Sequence, residues 1–424
     1  MSKRSRPLIP LRDFLYILQL EEYETLQYAR SARRLWWGHH FERRDRLRFT
    51  ARAKATFAVS VVLFIALVLL AGVLAKGHGL VMLGSAVIGS LLTPLIVGVA
   101  NVLLLPVTAV AKWRVVRAAS KRMAHAGGKA TVVAVAGSYG KTTTKNFIYQ
   151  LVRYNFKTQL IEGNINTTMG IAGWIDRHLD PSTELLIVEM DAYHPGEIAA
   201  SCRMVRPHVA VLTSIGDQHL VRFGSQERIV AALREVFTAS RPDAFRVCGA
   251  AAAATLREHG FADAIVTPKE GALMYNGKKV ACENLSGSAM DDARYALAVA
   301  EHLGVPAKYV DDICPSFAVP DRRQRAGEMY GYDAIDDSYN ISFATATAGV
   351  DAAAAEAKKR KKKLLVLTAG IPELPRKESD ARNTEFGGYL AAHADAAVIL
   401  KSIYHRPVVE GIAKRIPTKL YPNL

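Results

Sequence analysis

Acidic residues are missing from a long stretch near the start of this 424-residue chain: Ala55 to Ala111 holds one charge, Lys76, and Lys112 to Ala130 holds no Asp or Glu. Cysteine is scarce as well. The four present, Cys202, Cys248, Cys282 and Cys314, stand far apart with no CxxC pair. That excludes a zinc-finger pattern and a disulfide framework, and leaves reduced thiols in a cytosolic body as the expectation. The length, with 50% hydrophobic content, excludes a disordered chain or a small stapled domain and fits two or three domains.

What is abundant is basic charge: 55 Lys+Arg against 39 Asp+Glu, a formal net charge of +16. A total this high raises nucleic acid as a partner, but its distribution argues against one. Residues 1–54 carry +7, residues 55–111 carry +1 and residues 112–130 carry +6, which leaves 131–424 at +2. The excess brackets an apolar block. Ala55 to Ala75 is 21 uncharged residues, about 31 Å as a helix and close to a bilayer's hydrocarbon thickness. After Lys76-Gly77-His78-Gly79, Leu80 to Ala111 adds 32 more, with Pro94 and Pro106 the expected places for a bend or an end. Basic flanks on both sides predict two transmembrane helices over 55–111 with both ends cytoplasmic.

Residues 1–54 form a basic, amphipathic arm with two open readings. The alternation of apolar and charged residues over Leu8 to Tyr28, with Leu35, Trp36 and Trp37 beside Arg33, Arg34, His39 and His40, suits an interfacial amphipathic segment with aromatic anchors. It suits a cytosolic helical arm equally well. Residues 112–130 read as a basic linker. The Lys358 to Lys363 run follows an alanine-rich segment and precedes LLVLTA, so a solvated helix C-terminus is expected there, with contact to an anionic membrane surface as the second reading.

From Thr131 β-rich runs alternate with helical stretches: TVVAVA, then ELLIVEM at 184–190, then VAVLTSI at 209–215. This alternation predicts a parallel α/β sheet. The first run leads directly into Gly137-Ser138-Tyr139-Gly140-Lys141-Thr142-Thr143-Thr144 and then a helix-like KNFIYQLVRY. Glycines let backbone N–H groups approach anionic oxygens, a helix N-terminus adds its positive dipole end, Lys141 suits β/γ-phosphates and Thr142 suits Mg²⁺. The spacing is the shorter GxxGKTT, not GxxxxGK[ST]. Glu189, a carboxylate at the end of a hydrophobic strand near that loop, suits a metal-proximal acid.

AGSYGKTTT resembles the ATP loop of the Mur ligases, the amide-forming enzymes of cell-wall peptide assembly. Further stretches resemble that family in order: Asn164-Ile165-Asn166-Thr167-Thr168-Met169-Gly170, then Glu189 with the following PGEI of 195–198, then RPHVAVLTSIGDQHL of 206–220, and Asp336-Asp337-Ser338-Tyr339-Asn340 preceded by Arg322. The resemblance implies a Mur-ligase-like P-loop central domain over 131–319 and a Rossmann-like C-terminal domain over 320–424, behind the membrane hairpin. It implies ATP and Mg²⁺ as cofactors. Gly137 through Thr143, Asn166 and Asn340 would bind nucleotide, Thr142, Glu189 and His219 would hold metal, and Lys141, His219, Arg322 and Asp337 would serve catalysis.

The chemistry so implied is attack of a substrate carboxylate on the γ-phosphate of ATP, giving an acyl phosphate that an amine then captures. The expected partners are a muramoyl-peptide wall precursor, soluble or lipid-linked, an amino acid or D-alanyl-D-alanine, and possible other wall enzymes at a bacterial inner membrane. A non-catalytic ATP-binding scaffold is the alternative from another class. The sequence departs from the family in four places. Residues 1–130 stand where a uridine-diphosphate-binding domain is usual; Leu233 occupies the position of a carbamoylated lysine; Gly370, Pro375 and Tyr295 replace an Asp, a Gly and an Asn; and the sequence stops short of the last expected strand–helix unit, which reads either as a short third domain or as a truncated one.

Overall fold

The computed structural model describes residues 11–36, 47–74, 76, 78–126, 130–163, 165–216, 220–282, 285, 288–318, 325–329, 331–336, 343–372, 376–402 and 404–422. It divides into two compact units, Met1–Arg114 and Val115–Leu424.

In the first unit α1 (Leu11–Leu20) and α2 (Thr25–Trp36) precede α3 (Ala51–Leu74), α4 (Gly79–Leu91) and the start of α5 (Thr93–Ala126). Phe14, Leu15, Ile17 and Leu18 of α1 are buried against Tyr28 and Ala32 of α2, Ala53 of α3 and Val97 of α5. The N-terminal arm is thus part of a packed helical core. Asn101, fully buried, fixes its position: its amide donates to Tyr23 O (3.1 Å) and Thr25 Oγ1 (3.3 Å) and accepts from Arg52 Nη2 (3.1 Å).

Two helices, Ala51–Leu74 and Thr93–His125, are long and apolar enough to cross a membrane. The 32-residue apolar run is not one helix. It breaks at Leu92, and Pro94 sits at the second position of α5, where its missing N–H costs no intrahelical bond. Pro106 lies inside α5 without ending it. Residues 112–126, expected as a linker, are the last turns of the same helix. Alanine, arginine, lysine and methionine favour helix, and no breaker occurs before Gly127-Gly128.

The second unit centres on a parallel sheet in the order β2-β3-β1-β4-β5. Its first half runs β1 (Thr131–Ala136), α6 (Lys141–Val152), β2 (Thr158–Leu160), α7 (Thr168–His178), β3 (Leu185–Glu189), α8 (Glu197–Val205) and β4 (Val209–Leu212). Then follow α9 (Leu220–Phe223), α10 (Gln226–Leu233), α11 (Glu235–Thr238), β5 (Phe245–Cys248) and α12 (Ala250–Glu258). Strands buried on both faces need near-continuous apolar runs, as residues 132–136 of β1 and 185–188 of β3 supply before the charged strand end at Glu189. Val132, Ala134 and Ala136 enter one core with Val115, Val116, Ala119 and Met123 of α5; Val133 and Val135 enter the other. From β1 the chain runs out to the edge strand β2 and back to β3 on one side, then crosses to β4 on the other, so a crevice opens at the C-terminal ends of β1, β3 and β4.

The second core is completed by the hairpin β6 (Met274–Tyr275) and β7 (Lys278–Lys279), by α13 (Ser288–His302), and by α14 (Ala307–Ile313) with a 3₁₀ turn at Cys314–Ser316. Beyond residues 319–324, which hold the expected domain boundary and lie outside the described residues, come the antiparallel pair β8 (Arg325–Met329) and β9 (Tyr332–Asp336) and then α15 (Phe343–Lys359). A parallel three-stranded sheet β10 (Leu365–Thr368), β11 (Ala396–Leu400), β12 (Thr418–Tyr421) carries α16 (Arg376–His393) and α17 (His405–Ile412). The basic run sits at the end of α15 and beyond it, where Arg360 pairs with Glu356 and Asp333 and Lys362 also meets Asp333.

Candidate functional site

The loop between β1 and α6 is held from β4. Ser138 N–H donates to Ser214 O and Tyr139 N–H to Ser214 Oγ, each at 2.9 Å, and Gly216 N–H donates to Ser138 Oγ at 2.9 Å. Two glycines are required by this tight course. Gly137 (φ +143°) and Gly140 (φ +83°) adopt left-handed backbone, and a Cβ would lie 2.2 Å from Thr213 Oγ1 at the first and 2.3 Å from Asp292 Oδ1 at the second. Thr144 Oγ1 donates to that same Asp292 oxygen at 2.9 Å, which ties α13 to the first turn of α6. A helix starting at Lys141 directs its first-turn N–H groups and its positive dipole end toward the loop. A cavity of about 370 Å³ opens there.

Charged groups of both signs converge on this cavity. Thr142 Oγ1 donates to Glu189 Oε2 at 2.8 Å, Lys145 Nζ lies 2.9 Å from the same oxygen, and Asn166 Nδ2 reaches Glu189 Oε1 at 3.5 Å. Lys141 Nζ donates to Gly137 O (2.6 Å) and lies 3.3 Å from Asp191 Oδ2. Glu189 is 3% exposed. Burial pushes its pKa up, but the ammonium groups of Lys145 and Lys141 and the bonds from Lys145 and Thr142 outweigh it and hold the carboxyl below the usual range. It is therefore a carboxylate at neutral pH.

The structure brings together Gly137, Ser138, Tyr139, Gly140, Lys141, Thr142, Thr143, Asn166 and Glu189 of the sequence-derived set, all but Gly137 lining the cavity. His219, Arg322, Asp337 and Asn340 lie outside the described residues. Leu233 packs in the main core, 4% exposed, and Arg234 turns away to donate to His259 O. Tyr295 lines the cavity, and its hydroxyl would lie 2.4 Å from a Cβ at Gly249.

Sequence reasoning missed Lys145, Asp191 and Asp292. Lys145 had a visible signal: it falls four residues after Lys141, on the helix face shared with Thr144, Phe147, Ile148 and Leu151, where an unpaired ammonium could not be buried.

The donor set suits a hard cation. Thr142 hydroxyl and Glu189 carboxylate are oxygen ligands 2.8 Å apart at the cavity wall, a chemistry fitting Mg²⁺ with water completing its shell. Among the described residues, no group of three or more His, Cys, Asp or Glu is placed to hold a metal by itself. The glycine cradle and helix N-terminus fit a polyphosphate.

Residues 135–283 match the family model of the Mur ligase middle domain. The chain carries a Mur ligase middle domain. It is 33% identical over 112 residues to the UDP-N-acetylmuramoyl-tripeptide--D-alanyl-D-alanine ligase of Bacillus subtilis, covering 26% of this chain and 24% of the relative. The enzyme of the same name from Escherichia coli is 33% identical over 109 residues, with 26% and 24% covered. The matched segment spans about a quarter of these curated relatives.

Among solved structures, MurF from Acinetobacter baumannii is similar with a TM-score of 0.63 at 23% identity, covering 74% of this chain and 71% of that one. MurF ligase from Thermotoga maritima, in complex with ADP, gives 0.59 at 24%, covering 73% and 74%. The fold is the Mur-ligase-like α/β fold with a parallel central sheet, and the family resemblance lies in the MurF-like branch.

Proposed function

We propose that this chain is a membrane-anchored, ATP-dependent amide ligase of cell-wall precursor synthesis, which activates a carboxylate and joins it to an amino acid or D-alanyl-D-alanine. The observation that carries the reading is the contact of Thr142 Oγ1 with Glu189 Oε2, 2.8 Å, at the mouth of a glycine-cradled loop. A hydroxyl and a buried carboxylate there make an oxygen site beside a polyphosphate cradle.

In this reading the loop backbone and the α6 N-terminus bind the phosphates of ATP, and Lys141 orients the terminal ones. Thr142 and Glu189 would hold Mg²⁺, which when bound neutralises phosphate charge. Lys145 keeps Glu189 ionised and in place. Tyr295 and Ala250 to Ala252 wall the same cavity from α13 and the start of α12. His219, Arg322, Asp337 and Asn340 are proposed in the roles the family resemblance implies.

The acceptor is proposed to be lipid-linked or membrane-proximal. Support comes from α3 and α5, whose length and apolar surface suit a bilayer at a bacterial inner membrane, with the body in the cytoplasm. An anchor concentrates the body where such substrates and other wall enzymes lie. Purified full-length protein with ATP is offered UDP-linked muramoyl tripeptide or a lipid-linked muramoyl peptide, each with D-alanyl-D-alanine. ADP release and a ligated product on either acceptor, abolished by Lys141→Ala, are expected. Ligation that survives Lys141→Ala would overturn the site assignment, and ADP release with the soluble acceptor alone would overturn the lipid-linked one.

A further inference from the structure

Lys141 does not reach into open space in this structure. Its ammonium is folded back over its own loop, donating to Gly137 O at 2.6 Å and Ser138 O at 3.4 Å, and its remaining direction is taken by Asp191 Oδ2 at 3.3 Å. The pair is largely shielded, with side-chain exposures of 7% and 16%. Asp191 is itself fixed. Its N–H donates to Asn166 O at 3.0 Å, and its Oδ1 accepts from Ala192 N–H at 3.0 Å. The carboxylate stands two residues beyond the end of β3 and lines the same cavity as the loop.

An ammonium has three protons to donate, and here one carbonyl at short range and one carboxylate already engage it. A phosphate entering the cradle competes with Asp191 for the same cation and also meets the carboxylate's negative charge. Both effects oppose nucleotide binding, and both vanish when the carboxylate is neutralised. Glu189 is not equivalent, because its charge is balanced by Lys145 and it is engaged by Thr142.

We propose that Asp191 is an internal stand-in for a nucleotide phosphate: it holds Lys141 in the empty loop, is displaced when nucleotide enters, and takes Lys141 back as ADP leaves. Asp191 is thus a positioning residue that weakens nucleotide binding and speeds product release. The inference rests on the nucleotide-binding reading given above.

The test is ADP binding in EDTA, followed by calorimetry on the full-length protein, so that no metal ligation by Asp191 enters. Asp191→Asn, which keeps shape and removes charge, is expected to bind ADP about three- to fivefold more tightly than wild type, the upper end of the range for a single ion pair near a protein surface. Asp191→Ala should do the same, and tightening cannot come from damage to the fold. In a Lys141→Met background, Asp191→Asn should tighten ADP by less than in wild type, keeping only the relief of charge repulsion, since the cation being released is gone. An undiminished effect there would show that Asp191 acts by repulsion alone and overturn its role as a stand-in. Unchanged or weaker ADP binding by both Asp191 variants overturns the inference while leaving the nucleotide site intact. No ADP binding by wild type overturns the nucleotide reading and this inference together.

Discussion

Lys145 Nζ lies 2.9 Å from Glu189 Oε2, with both side chains almost fully enclosed, and the same ammonium donates to Ile161 O at 3.1 Å and Gly163 O at 3.0 Å. One buried cation therefore joins the phosphate-loop helix, the end of β3 and the turn after β2. Breaking such a pair from one side leaves an uncompensated charge and costs about 3–5 kcal/mol, whereas replacing both partners by apolar groups costs less. Lys145→Met is expected to lower the melting temperature more than Lys145→Met combined with Glu189→Leu. Glu189's carboxyl is held below its usual range, so its contribution is present above about pH 4.3 and is lost as pH falls through the folded value. The double variant should lose that acid-side dependence in a pH series of melting curves.

His208 gives a second pH signature, nearer neutrality. Val132 N–H donates to its Nδ1 at 3.1 Å, so this nitrogen is unprotonated in the fold. Burial first, then the charge of Arg241 and, least, that of Arg206, press its pKa below the ordinary value and outweigh the opposite pull of Asp243. A histidine with a depressed folded pKa contributes stability that is present above about pH 6.5 and is lost as pH falls toward the folded value. Wild type should melt at a progressively lower temperature from pH ~6.5 downward. His208→Gln can still accept the Val132 N–H and should flatten that part of the profile. An identical slope in the variant would refute the assignment.

The phosphate loop was legible in the sequence because its chemistry is local: Gly137, Gly140, Lys141 and Thr142 fall within six residues between a strand and a helix. Glu189 was legible because a strand end beside β1 is a position that topology fixes. Asp191 and Asp292 were not, because their partners Lys141 and Thr144 lie 50 and 148 residues away and nothing in the intervening chain marks the contact. The α4–α5 break was read from Pro94. The persistence of α5 through Ala126 was not, because basic residues after an apolar run look like a flank whether or not the helix continues.

Substitution at the two loop glycines should separate steric closure from backbone preference. Gly137→Ala and Gly140→Ala each combine positive φ with a Cβ inside 2.5 Å of Thr213 Oγ1 or Asp292 Oδ1, so the loop must shift. Gly163 also has positive φ, +65°, but open space around its Cβ position. Gly163→Ala should cost only the left-handed penalty of roughly 1–2 kcal/mol and keep ADP binding. The other two should lose ADP binding outright in the same titration.

The exit from the central sheet domain is held to α6, the helix that begins at the loop. Gln150 makes a two-way clamp on Ala318: its Oε1 accepts from Ala318 N–H at 2.9 Å and its Nε2 donates to Ala318 O at 3.1 Å. Immediately before it, Phe317 stacks on Phe147 of α6 with ring centroids 4.3 Å apart, both rings buried. The two anchors differ in what they contribute. The clamp lies at the surface, where a pair of hydrogen bonds is worth about 1 kcal/mol net, whereas truncating a stacked core ring costs about 3–5 kcal/mol. Gln150→Ala should therefore speed amide exchange at Ala318 about fivefold, with ADP binding unchanged and the melting temperature lowered by at most about 2–4 °C. Phe317→Ala should destabilise the whole central domain and raise exchange along α6 as well. Hydrogen exchange followed by mass spectrometry reads both, and equal protection at Ala318 in wild type and Gln150→Ala would show that the ring stack alone fixes the exit.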